Sequence, residues 1–124
     1  MNALGTQLLL ELRACNPELL DDLPYIRDVM VSSAQQAGAT IVGKAFHKFS
    51  PWGVTGVVAI SESHFSIHTW PEFQYAAVDI FTCGTTVDPH RAAALIIERL
   101  GCQDPAITEL KRGIIPQPVK NPVG

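Results

Sequence analysis

Residues 40–83 read TIVGKAFHKFSPWGVTGVVAISESHFSIHTWPEFQYAAVDIFTC. Nowhere in this stretch do apolar residues recur at the three-and-four spacing of a helix. β-Branched and aromatic side chains crowd it instead, and Pro51-Trp52-Gly53 and Trp70-Pro71-Glu72 punctuate it. Such side chains suit a pleated, half-buried surface. Connections this short can only reverse the chain, because parallel neighbours need a long crossover. Four antiparallel strands are therefore predicted, over 40–49, 54–61, 63–70 and 75–83.

The flanks complete the pattern. Residues 4–14, rich in leucine, read as a first strand that ends at an Asn16-Pro17 turn. Ile26, Val29, Met30, Ser33, Ala34 and Ala37 then fall at helical spacing, with Asp22 as cap, Pro24 in the first turn and Gly38 as stop. After the four strands, Asp88-Pro89 opens a second helix. Its apolar stripe is Ala92, Leu95, Ile96 and Leu100, and Gly101 ends it. A last strand is expected over 105–111, and 113–124, with three prolines, reads as a loose tail. The order β-α-β-β-β-β-α-β specifies an α+β fold: an antiparallel sheet with two helices packed on one face, a two-layer sandwich. Its other face would be bare, which predicts a homodimer whose site draws on both subunits.

Length and composition agree. A chain of 124 residues suits a single domain, here 1–124, with enough length for one core. Apolar residues at 47% exclude intrinsic disorder, and charged residues at 17% leave unusually little to solvate an open surface. A net charge of −3 argues against a nucleic-acid partner. Cys15, Cys83 and Cys102 are scattered and odd in number, which suits a reducing compartment better than a disulfide framework. The amino-terminal residues lack the layout of a secretory signal, and no run approaches the ~20 apolar residues of a membrane span. The expected location is the cytoplasm.

Reactive side chains concentrate in the middle. His47, Glu62, Ser63, His64, His68, Glu72, Asp79 and Cys83 all lie in the four-strand segment. Each has an ordinary explanation: a strand histidine can be a hydrogen-bonded structural residue, a strand cysteine a core filler, a hairpin serine a turn former. A zinc site from His47, His64, His68 and Cys83 is disfavoured, since in a strand His64 and His68 stand ~13 Å apart. A cysteine hydrolase using Cys83 and His68 is chemically allowed, but leaves Ser61-Glu62-Ser63-His64 without a role.

A resemblance accounts for that run. SESHFSIHTWPEFQYAAVDIFTCG at 61–84 resembles the processing and active-site segment of the prokaryotic S-adenosylmethionine decarboxylases, small pyruvoyl-dependent enzymes of spermidine synthesis. The similarity extends through GATIVGKAFHKFSPWGVTGVVAI at 38–60 and LGTQLLLEL at 4–12, covering about residues 4–91. It implies a sheet with helices on one face, pairing as a dimer.

The resemblance also implies roles. Self-cleavage between Glu62 and Ser63 would divide the chain into 1–62 and 63–124. Ser63 would become a covalent pyruvoyl group, the electron sink that side chains cannot supply and that forms a Schiff base with the substrate amine. His68 matches the acid–base residue of processing, and Cys83 the proton donor to the substrate carbanion. Phe49 and Trp70 match positions that sandwich adenine, and Glu72 matches the ligand of the ribose hydroxyls. The family often has serine at position 55; Thr55 keeps the hydroxyl but stiffens χ1. No metal is implied. Two alternatives are a pyruvoyl decarboxylase of arginine or ornithine and an inactive regulatory paralogue. Phe49 and Trp70 argue against the first, since a basic amino acid needs no aromatic clamp. Intact Ser63, His68 and Cys83 argue against the second.

Overall fold

Six strands and three helices follow one another along residues 3–123, the part of the chain that this computed structural model describes. The strands are β1 (Ala3–Arg13), β2 (Ile41–Lys48), β3 (Val54–Ile60), β4 (Ser63–Trp70), β5 (Tyr75–Cys83) and β6 (Asp104–Ile114). The helices are α1 (Pro17–Leu20), α2 (Leu23–Gln36) and α3 (Pro89–Arg99). The strands form one antiparallel sheet in the order β2-β3-β4-β5-β1-β6. The expected α+β class and six-strand sheet are observed.

Three details differ from the sequence reading. There are three α-helices among the described residues, not two, and a short 3-10 turn over Pro71–Phe73. Asn16 does not merely turn the chain: its side-chain oxygen accepts from Glu18 N at 2.9 Å, which starts the single turn of α1. Finally, β6 runs to Ile114 instead of ending at residue 111, because ten of its residues pair with β1. The polar and exposed character of β6 hides this in the sequence; the partner strand supplies its backbone hydrogen bonds.

The two long helices start and stop as their caps dictate. Asp22 accepts from Tyr25 N at 3.1 Å and Asp88 from His90 N at 3.1 Å, satisfying amides that the first helical turn leaves free. Both helices cover one face of the sheet. Leu8, Leu10, Leu12, Val58, Phe65, Ile67, Val78 and Ile80 point into that layer and meet Ile26, Val29, Met30, Ala92 and Ile96 in one core. Gly56 makes room in it. A Cβ there would lie 2.2 Å from the Phe46 ring, which crosses over it from β2.

Register puts alternate residues on the opposite face: Thr55, Val57, His64, Ser66, His68, Ala77, Asp79 and Phe81. No helix of the described residues covers them. β3 to β5 are as poor in charge here as the composition suggests, whereas β1 and β6 add Glu11, Arg13, Asp104 and Arg112. Arg13 and Asp104 pair at 2.9 Å, and Arg112 donates to Gln7 at 2.8 Å. No helix is long and apolar enough to cross a membrane among the described residues.

Candidate active site

The hairpin between β3 and β4 is as tight as a hairpin can be. Ile60 pairs with Ser63, leaving only Ser61 and Glu62 to turn the chain. Glu62 takes up the reversal with φ of 70°, a left-handed conformation that costs a side-chain-bearing residue about 1–3 kcal/mol. Immediately after it, the Ser63 hydroxyl hydrogen-bonds the carbonyl oxygen of Glu62 itself. The same Oγ lies 3.4 Å from Cys83 Sγ, because the end of β5 lies beside the start of β4. A nucleophile, a strained peptide and a thiol thus meet at one end of the sheet. The open cavity of ≈ 970 Å³ there is lined by Glu62, Cys83, Gly84, Thr85 and Lys111, among others.

The opposite end of the sheet holds a second group. Thr55 and His68 face each other across β3 and β4 and share a hydrogen bond of 2.9 Å between Oγ1 and Nδ1. Both line a ≈ 310 Å³ pocket with Phe49, Trp52, Trp70 and Glu72. The lining combines aromatic rings with a carboxylate, a set suited to a flat base with adjacent hydroxyls. Phe49 and Trp70 are 47% and 39% exposed, so neither is core. Trp70 lies 5.4 Å from Tyr75 and 6.3 Å from His68, ring to ring.

The residues singled out in the sequence therefore fall into two clusters. Glu62, Ser63 and Cys83 form one; Phe49, Thr55, His68, Trp70 and Glu72 form the other. Within one chain they do not meet. Along extended β4, His68 lies five positions beyond Ser63, about 16 Å, and Trp70 seven positions, about 23 Å. Three further residues from the sequence reading line neither cavity, though His47 borders the second cluster. His47 lies edge-on to Phe49 at 4.6 Å, His64 lies 6.0 Å from Phe81, and Asp79 accepts from Ser66 Oγ at 3.4 Å.

Some lining residues escape sequence reasoning. Trp52 and Gly53 look like mere punctuation between strands, yet Trp52 walls the pocket. Asp21, 32 positions away, accepts a hydrogen bond from Gly53 N at 2.8 Å. That bond, with Lys48 beside it, holds the Asp21 carboxyl below the usual range. The doublet of Pro and Gly around Trp52 is the only local signal for any of this.

The three cysteines separate by environment. Cys15 is buried, and burial with Cys102 nearby pushes its thiol up to about 12, so it is inert. Cys83 is half-buried beside Ser63 and accessible from the cavity. On the open face, burial and the Glu11 carboxylate that its hydroxyl contacts push Tyr75 up to about 12, so that phenol stays protonated.

Comparison with known proteins follows the same lines. The family model described as S-adenosylmethionine decarboxylase matches residues 6–113, further along the chain than the motifs alone carry. A protein of Thermodesulfovibrio yellowstonii named S-adenosylmethionine decarboxylase proenzyme is 56% identical over 115 residues, 93% of this chain and 85% of its own length. One of the same name from Thermoanaerobacter is 54% identical over 120 residues, 97% of each chain. The crystal structure of the adenosylmethionine decarboxylase from Aquifex aeolicus superposes with a TM-score of 0.89 at 32% identity, covering 97% of this chain and 99% of that one. Profile, relatives and fold coincide over nearly the whole sequence, and the chain belongs to the S-adenosylmethionine decarboxylase family.

Proposed function

We propose that this chain is a proenzyme that cuts itself between Glu62 and Ser63 and then decarboxylates S-adenosylmethionine, giving the aminopropyl donor of spermidine synthesis. The observation that carries the reading is the contact of the Ser63 hydroxyl with the Glu62 carbonyl in a left-handed turn. The chemistry there is an N→O acyl shift. Ser63 Oγ bonds to the carbonyl carbon of Glu62, the C–N bond breaks, and the amide becomes an ester. Loss of the Ser63 Cα proton then breaks the Cβ–Oγ bond and releases Glu62 as a carboxyl terminus. The dehydroalanine left behind tautomerises to an imine, and water replaces its nitrogen as ammonia. Strain at Glu62 favours the first step, because the ester frees that residue from its turn.

The pyruvoyl group so formed supplies a carbonyl able to accept the electrons left when carbon dioxide departs. Around it, Cys83 Sγ delivers the proton, a role that its 3.4 Å approach to Ser63 Oγ supports. Phe49 and Trp70 hold the adenine between their faces, where the aromatic quadrupole also favours the nearby sulfonium. Glu72 accepts from the two ribose hydroxyls. Thr55 orients the His68 ring, which serves proton transfer during processing.

The two clusters are ~16–23 Å apart along β4, so one chain does not complete this site. A homodimer does. If two sheets stack open face to open face about a two-fold axis across the strands, the Ser63–Cys83 end of each meets the Phe49–Trp70–Glu72 end of its partner. Each site then takes its nucleophile and thiol from one protomer and its clamp, with the partner's His68, from the other. Stacking would also cover the face that no helix of the described residues covers.

An intact-mass spectrum of the purified protein tests the reading. Two chains are expected, 1–62 and 63–124, the second lighter by one ammonia than a peptide beginning with serine. Ser63→Ala should remain whole. A wild-type protein that stays a single chain after long incubation overturns the proposal.

A further inference from the structure

The loop from Phe49 to Gly53 carries two of the pocket's aromatic rings, and it has no core of its own: Phe49 and Trp52 are about half exposed. Something outside the loop must hold it. Internally, only Phe49 N donating to Gly53 O at 2.8 Å closes it. Gly53 sits at φ of 113°, with Thr69 O 3.2 Å from where a Cβ would be, so glycine alone fits there. Externally, one carboxylate oxygen grips both ends. Asp21 Oδ1 accepts from Gly53 N at 2.8 Å and pairs with Lys48 Nζ at 2.9 Å. Lys48 Nζ in turn donates to Phe49 O at 3.1 Å. Thr69 secures the same junction from below, accepting from Val54 N and donating to Leu20 O, each at 2.8 Å.

From this geometry we infer that Asp21 is a positioning residue for the substrate clamp: it holds the 49–53 loop so that Phe49 faces Trp70 across the pocket. The inference rests on the proposed role of Phe49 in holding adenine. Asp21 sits at the end of α1, and its bonds go to Gly53 and Lys48 rather than to Ser63, Cys83, Thr55 or His68, so it should govern binding without touching processing or proton transfer. Its lowered carboxyl range agrees with a charge held by the Gly53 amide and by Lys48. The one-turn helix α1, with no evident purpose in the core beyond Leu20, acquires one as the platform for this brace.

The test is a set of steady-state measurements with S-adenosylmethionine on the self-cleaved enzyme. Asp21→Ala should raise KM by roughly tenfold, the scale of a lost charge-assisted hydrogen bond, with kcat within about twofold and self-cleavage complete. Asp21→Asn keeps the acceptor for Gly53 N and should recover most of that loss. Lys48→Met removes only one grip and should raise KM by about threefold. If Asp21 acts through Phe49, adding Asp21→Ala to Phe49→Ala should change KM little further. An unchanged KM in Asp21→Ala beside a raised one in Phe49→Ala overturns the positioning role and leaves the clamp standing. A full tenfold loss on the Phe49→Ala background overturns it too. An unchanged KM in Phe49→Ala sinks the clamp, and the inference with it. Loss of kcat and self-cleavage together in Asp21→Asn would make the residue structural. Should Asp21→Ala fail to fold, Lys48→Met takes its place in the same cycle, and an unchanged KM there overturns the brace.

Discussion

Cys83 and Trp70 each have an ordinary alternative, core filling, and their surroundings argue differently. Cys83 opens on the cavity beside Ser63, whereas Cys15 is the cysteine sealed in the core. Cys83→Ala should therefore self-cleave and bind S-adenosylmethionine but release carbon dioxide ~10²–10⁴-fold more slowly, the usual loss for a positioned acid. A radiometric assay of carbon dioxide release measures this, and unchanged turnover returns Cys83 to a packing role. Trp70 lies beside His68 and Tyr75 on the open face and stays 39% exposed, outside the buried core. Trp70→Ala should weaken substrate binding by roughly tenfold or more while self-cleavage proceeds, since stacking on one base is worth ~1–3 kcal/mol. Failed cleavage with early melting would make Trp70 structural instead.

Among the elements, β3 shows how a strand can be specified by the residue it lacks. Gly56 weakens a strand in isolation, yet the Phe46 ring from β2 occupies the space its side chain would need. Gly56→Ala should therefore destabilise the protein by about 1–3 kcal/mol, through overpacking, despite alanine's better strand propensity. The midpoint of urea unfolding measures it, and pairing the change with Phe46→Leu should recover part of the loss. A midpoint at or above wild type would mean that the β2 edge yields freely. The helices show the converse case, in which local signals suffice. Asp22 and Asp88 bond the amides that their sequence positions predict, and Gly38 and Gly101 follow the last turns with φ of 99° and 63°.

At the scale of the whole molecule, the separation of the two clusters within one chain means that the proposed site requires assembly. Dilute protein at moderate salt should have at least twice the 13.5 kDa of one chain. The sharper measurement mixes Ser63→Ala with Glu72→Ala, each inactive alone. In a hybrid dimer one site combines an intact Ser63 with the partner's intact Glu72, so activity should reappear in one of two sites. A mixture that stays inactive although hybrids form, or a monomer that decarboxylates, places the whole site within one chain and overturns the shared arrangement.

The sequence by itself determined the strands of residues 40–83, the two long helices with their caps, and the family. These depend on neighbours in the chain: side-chain period, capping oxygen, left-handed glycine, and the contiguous SESH, IHTWPE and FTCG motifs. Local signals stopped where partners are remote. The full length of β6 depends on β1, 91 to 111 residues earlier in the chain, and its own exposed side chains do not announce it. Asp21 reaches Gly53 only because α1 docks beside the β2–β3 loop. Above all, the sequence predicted a site shared between subunits without the distances behind it, and tertiary structure supplied those distances. An extended strand advances ~3.3 Å per residue, so the few residues between Ser63 and Trp70 carry the chain from one end of the sheet to the other.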